Sequence, residues 1–240
     1  MSTGTSDPAI LIDGVPIPIR VRRSARARSY RLSVDGVRDE VRLSVPKRAN
    51  LRRALGWAQD HAEWVKARMA DRAAPVPIAD GAVLPVEGRP VRICWRVGAG
   101  RTIRVEEGPD EGRLVVGGAA ESVGPRVLRW LKARARSVLE AETRALAATH
   151  ALHVASVGIG DPRSRWGSCA SSGAIRYSWR LILCPPEVRR ATVAHELAHL
   201  LHMDHSAAFH AAHARILGQD PKVARAWLRA HGAGLHRFIL

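Results

Sequence analysis

Pro185-Pro186-Glu187-Val188-Arg189-Arg190-Ala191-Thr192-Val193-Ala194-His195-Glu196-Leu197-Ala198-His199 is the stretch on which both the fold and the chemistry of this chain turn. A proline in the first turn is pre-organised for helix, so the pair opens one, predicted over residues 187–202. Four residues advance an α-helix by about 400°, which puts His195 and His199 on one face a single turn apart. At that spacing two imidazole nitrogens can each reach one Zn²⁺ at about 2.0–2.1 Å. Glu196 flanks the same face, free to act on a water as a general base. The bland alternative is a solvated helix face in a histidine-rich chain. With 11 His and as many Glu among 240 residues, a His-Glu-x-x-His arises by chance in roughly 2% of such chains. The proline start and the apolar Val193, Leu197 and Leu200 tighten that further.

A catalytic zinc takes a third protein ligand and keeps a position open. Six of the 11 histidines fall between 195 and 213. His202 is almost eclipsed with His195 but about 10 Å along the axis, too far to share the ion. His205 follows the predicted helix end and precedes Ser206, a cap for the next helix, where the chain must reverse. The resulting H-E-x-x-H-x5-H spacing selects His205 as the third ligand, with His210 the alternative and His213 also on that following helix. No acidic residue occurs from Ser206 to Gln219, which disfavours a two-His, one-Glu site.

Upstream, residues 9–12, 15–19, 26–34 and 41–45 read as short strands, with turn pairs at Asp13-Gly14 and Asp35-Gly36. Asn50 caps a helix predicted over 51–70, and the Pro-rich stretch at 73–78 reads as a linker. Strands at 91–97, 101–106 and 113–116 follow, then Gly117-Gly118 as a domain boundary. A helix over 125–151 buries a stripe through Val127, Leu131, Leu139 and Thr143. A strand near 152–159 and a hairpin with arms 163–169 and 174–184 precede the decisive helix, and helices over 207–217 and 221–231 end the chain. The fold expected is α+β. An N-terminal β-rich domain with one helix spans 1–118. A C-terminal zincin-like domain with a small antiparallel sheet and the active-site helix spans 119–240.

Composition narrows the classes. At 46% apolar the chain can bury a core, and no run approaches the length of a membrane-spanning helix. Three cysteines without a Cys-x-x-Cys argue against a disulfide framework. The first eight residues lack the basic and apolar regions of a secretory signal, so a cytoplasmic location is expected. The net charge of +16 is spread over both halves and makes nucleic acid a candidate partner beside a protein or peptide substrate. Six arginines between Arg20 and Arg31 fit solvated strand edges or a phosphate track. Trp57, Trp64, Trp130 and Trp227 sit at helical spacing and are expected in the core, as are Cys169 and Cys184.

Ser164-Arg165-Trp166-Gly167-Ser168-Cys169, Trp179-Arg180-Leu181-Ile182-Leu183, Pro185-Pro186-Glu187-Val188 and the run from His195 to Ser206 resemble the YgjP-like, SprT-related zinc metallopeptidases. The resemblance extends diffusely over the N-terminal half. That family's pattern, H-E-L-x-H-x4-N-H-S-x2-F-W, implies one Zn²⁺ per chain on His195, His199 and His205, with Glu196 as catalytic base in peptide-bond hydrolysis. Asp204 stands where the family has Asn, and His210 where it has Trp. The resemblance also implies that a strand beside the active helix pairs with an extended substrate, for which the arm 174–184 is the candidate. Tyr177, His210, His213 and Arg165 are eligible to stabilise an oxyanion. A nucleic-acid-associated protein with a structural zinc is the alternative.

Overall fold

A computed structural model describes residues 8–35, 40–70, 74–100 and 102–240. The Asp35-Gly36 turn, the first seven residues, residue 73 of the expected linker and the start of the expected strand at 101 fall wholly or partly outside these. The fold is α+β, and contacts divide the chain into two compact units, Met1–Pro75 and Val76–Leu240.

In the first unit, β1 (Ala9–Ile12), β2 (Val15–Ser24), β3 (Arg31–Asp35) and β4 (Glu40–Pro46) form a sheet in the order β1-β2-β4-β3. Asp13 and Gly14, at φ 51° and 78°, close β1 onto β2, as a two-residue hairpin turn with both φ positive requires. The central strand β4 alternates: Val41, Leu43 and Val45 are fully buried and the residues between them are not. The strand expected over 26–34 begins only at Arg31, because Ala27 N–H turns back onto the Ser24 carbonyl. Arg23 donates to the carbonyls of Lys47 and Ala49, and Arg20 pairs with Glu40. Part of the arginine cluster is thus structural.

The single helix expected over 51–70 is two helices, α1 (Leu51–Asp60) and α2 (Ala62–Ala70). Asn50 accepts from Arg53 N–H as the cap. His61 breaks the run: its backbone tightens onto Ala58, and its Nδ1 donates to the Trp57 carbonyl. Trp64 is 44% exposed and not a core residue.

The second unit opens with β5 (Val76–Pro77), which pairs in parallel with the last strand, so this unit's two ends are pinned together. Then β6 (Val83–Val86), β7 (Arg89–Trp95), β8 (Arg104–Glu106) and β9 (Gly112–Val116) form a sheet ordered β6-β7-β9-β8. The expected boundary at 118 is displaced to 75, inside the linker region. Leu84, Ile93, Leu114 and Val116 share one core with Val127, Leu131 and Leu139 of α3 (Val123–Thr149). Gly117-Gly118 is only a turn, with Gly118 at φ 92° and its carbonyl accepting from Trp95 Nε1.

Beyond α3, β10 (Ser156–Gly160), β11 (Gly167–Cys169) and β12 (Ala174–Ser178) make a sheet ordered β10-β12-β11. It is mixed, not antiparallel, because β10 runs parallel to β12. The second hairpin arm ends at Ser178, not 184. Ser178 Oγ accepts from Arg180 N–H and turns Trp179–Leu183 into a 3₁₀ helix, all of it buried. There follow α4 (Pro186–Ala198), α5 (Ala207–Leu217), α6 (Lys222–Leu235) and β13 (Phe238–Ile239). Helix α4 stops before the expected 202, and α6 runs past Gly232. That glycine is a close approach and not a stop, since a Cβ there would stand 2.8 Å from the Trp166 ring. No helix among the described residues is long and apolar enough to cross a membrane.

Candidate metal centre

The last turn of α4 carries His195 and Glu196, and His199 caps the helix in αR geometry (φ −67°, ψ −20°), which continues the helical spacing. His205 lies in the link to α5. There Asp204 accepts from Ser206 N–H, and Ser206 Oγ caps α5 through Phe209 N–H. These turns bring His205 back over α4. One ring nitrogen from each of His195, His199 and His205 lies within 4.8 Å of the other two. His205 Nε2 and His195 Nε2 are 3.3 Å apart. Two ligands of a tetrahedral ion, each about 2.0–2.1 Å from it, lie about 3.3–3.4 Å from each other. The pair is therefore spaced as two ligands of one ion. His199 Nδ1 donates to the His202 carbonyl at 3.1 Å, which fixes its tautomer and leaves Nε2 for a metal. Phe209 packs against all three rings, with centroids 4.9, 4.6 and 4.6 Å away. An all-imidazole donor set suits zinc among other divalent transition metals.

Burial holds His195 down at about 3, helped by His213, His199 and His205, and burial also lowers His199. Both rings are neutral at physiological pH, the form a metal binds. Glu196 is 4% exposed. Burial pushes its carboxyl up to about 7, with Arg165 pulling the other way. Gly167 of β11 sits directly against it: a Cβ there would be 2.4 Å from Oε1.

The other candidates fall elsewhere. His210 is exposed, its ring centroid 6.4 Å from that of His205, and it is not part of the three-histidine group. His202 contributes its backbone carbonyl. His213 is buried edge-on to His195, its Nε2 donating to the Ala191 carbonyl while Nδ1 has no partner among the described residues. Tyr177 is fully buried and hydrogen-bonded to Thr143, a core group facing away from solvent. Arg165 is exposed. The arm proposed for substrate pairing cannot serve, because β12 is the middle strand of its sheet; the edge next to α4 is β11.

Sequence reading missed Gly167, Phe209 and the His202 carbonyl. Phe209 was within reach, as an aromatic four residues after a candidate ligand and just past a cap. The other two depend on contacts that no local pattern encodes.

A family model described as YgjP-like, metallopeptidase domain, matches residues 28–231. No curated protein and no solved structure matches the chain.

Proposed function

The chain belongs to the YgjP-like metallopeptidase family, and from that premise we propose a zinc-dependent endopeptidase in which His195, His199 and His205 hold the ion and Glu196 is the general base. The observation that carries this reading is the three-imidazole group with a 3.3 Å edge between two of its nitrogens, built one residue away from a buried carboxyl. Zinc, when bound there, supplies Lewis acidity toward water and a scissile carbonyl.

The chain's own residues supply the rest. Glu196 takes a proton from the attacking water and returns it to the leaving amine, a task suited to a carboxyl whose affinity for protons burial has raised. Gly167 lets β11 approach that carboxyl, and the β11 edge offers backbone groups to an extended peptide. A purely structural zinc would leave Glu196 without a task.

The test pairs metal content with cleavage. Glu196→Gln should keep one zinc per chain while losing casein hydrolysis by at least about a thousandfold, whereas His205→Ala should lose the metal. A Glu196→Gln protein that cleaves like wild type would end the mechanism.

A further inference from the structure

The end of β10 and the strands beside it border an open cleft of about 180 Å³ whose lining includes Gly160, Asp161, Arg165, Ser168 and Arg176, the three charged residues all exposed. Asp161 is already engaged by Arg180, a buried guanidinium that also donates to the carbonyls of Leu235 and Phe238. No described carboxylate lies within ion-pairing distance of Arg165 or Arg176. The cavity therefore presents Arg165 and Arg176, neither held in an ion pair, beside the Ser168 hydroxyl, and the one carboxylate in its lining, Asp161, is taken up by Arg180.

The sequence shapes Arg176 for this position. In the parallel register Gly158 stands opposite Arg176, and Gly160 lies two residues further along the same face. A Cβ at Gly158 would be 3.4 Å from Arg176 Cγ, and one at Gly160 would be 3.6 Å from Nη2. The stem of Arg176 thus lies across two glycines, at van der Waals distance from where a Cβ on either would stand.

The cavity and Glu196 lie on opposite faces of this sheet: Ser168 pairs with Arg176 on the cavity face, whereas Gly167, paired with Tyr177, turns toward Glu196. Arg165 lies two residues before Gly167, so at most about 7 Å of chain separates it from the residue that backs Glu196. Its charge already acts on that carboxyl. A peptide lying along β11 advances about 3.3 Å per residue. Its side chains alternate between the two faces of the sheet, so one adjacent to the residue over Glu196, or a chain end there, points to the cavity face.

The geometry points to a carboxylate-binding subsite, in which Arg165 and Arg176 receive an Asp or Glu side chain, or the terminal carboxylate, of the peptide substrate. Guanidinium forks match carboxylates with paired, charge-assisted hydrogen bonds. The inference rests on the peptidase reading above and names its substrate class.

Binding and cleavage are measured separately. Fluorescent peptides of one short sequence carry Glu at every second position with an amidated end, Gln with an amidated end, or Gln with a free carboxylate. Their affinities are measured by anisotropy on zinc-loaded Glu196→Gln protein, and their hydrolysis on wild type. One carboxylate peptide should bind about tenfold more tightly than the neutral one, the Glu peptide marking a side chain and the free-ended peptide a terminus. Adding Arg176→Gln should bring that ratio to about one, and Arg176→Lys should restore part of it. Equal binding of the three peptides, no binding, or a ratio that survives Arg176→Gln overturns the subsite, whatever hydrolysis shows. If the ratio holds while wild type cleaves none of them, it is the peptidase reading that fails.

Discussion

At Gly167 a hydrogen atom decides whether Glu196 can sit where it does. A methyl group there would stand 2.4 Å from Oε1 and 2.7 Å from both Cγ and Cδ, inside any van der Waals contact. The backbone at this position is not in the left-handed region, so the cost of Gly167→Ala is steric and falls on the carboxyl. We expect this variant to keep its zinc and to lose about a hundredfold in kcat/KM on casein, since a shift of about 1 Å in a catalytic group costs that much. Unchanged kcat/KM would show that Glu196 acts from another position. The histidine and glutamate spacing at 195–199 was legible because helix geometry alone makes it a site. Gly167 was not, because its role comes from a partner 29 residues away in the sequence. His205 stood between these cases: its spacing was readable, and its arrival depends on the Asp204 and Ser206 turn.

Elements whose partners are close in sequence or strictly periodic matched their reading. Helix α5 has its Ser206 cap and ends at Gly218 with φ 78°, and α3 buries the expected stripe. Those that depend on a distant partner did not. The run after Ser178 alternates like a strand, yet it coils from its Ser178 cap, and Arg180 ties it to the carbonyls of Leu235 and Phe238. One long-range tie also sets the placement of α4. Arg189, 4% exposed at its side chain, binds Glu142 of α3 through Nε at 3.0 Å and Nη2 at 2.7 Å, and Glu87 in the β6–β7 turn at 3.3 Å. Removing the cation takes this partner from Glu142, whereas Glu87 keeps Arg134 at 2.8 Å. Both are partly solvated, so Arg189→Ala should cost about 2–3 kcal/mol, less than a fully buried pair would. Chemical denaturation checks this: the midpoint should fall at unchanged slope, and an unshifted midpoint would reduce the tie to a surface pair.

For the whole molecule, the consequence of moving the division from residue 118 to 75 is that the sheet β6–β9 goes with the metal-binding part. The reading from sequence set the boundary at a glycine pair, because composition marks turns and not which core a strand joins. Every group in the three-histidine cluster, Glu196, Gly167 and the arginines of the cavity lie within Val76–Leu240. So does one continuous core from Ile78 to Phe238, and the β5–β13 pair closes its ends. The first unit has its own core through Val41, Leu43 and Val45. A chain starting at Ala74 should therefore fold alone and bind one zinc as tightly as the full-length protein, whereas one starting at 119 should aggregate, having lost the strands that cover α3. Circular dichroism, gel filtration and zinc titration against a competing chelator decide it. Bound zinc should also raise the melting temperature of the 74–240 chain, because a ligand held only by the native state stabilises it by RT ln(1 + [L]/Kd), about 4 kcal/mol at a thousandfold excess over Kd. A 74–240 chain that is helical and monomeric yet takes up no zinc would mean that residues 1–73 supply something the site requires. The family match, which begins at residue 28 inside the first unit, would then mark a part needed for the centre itself and not only for what reaches it.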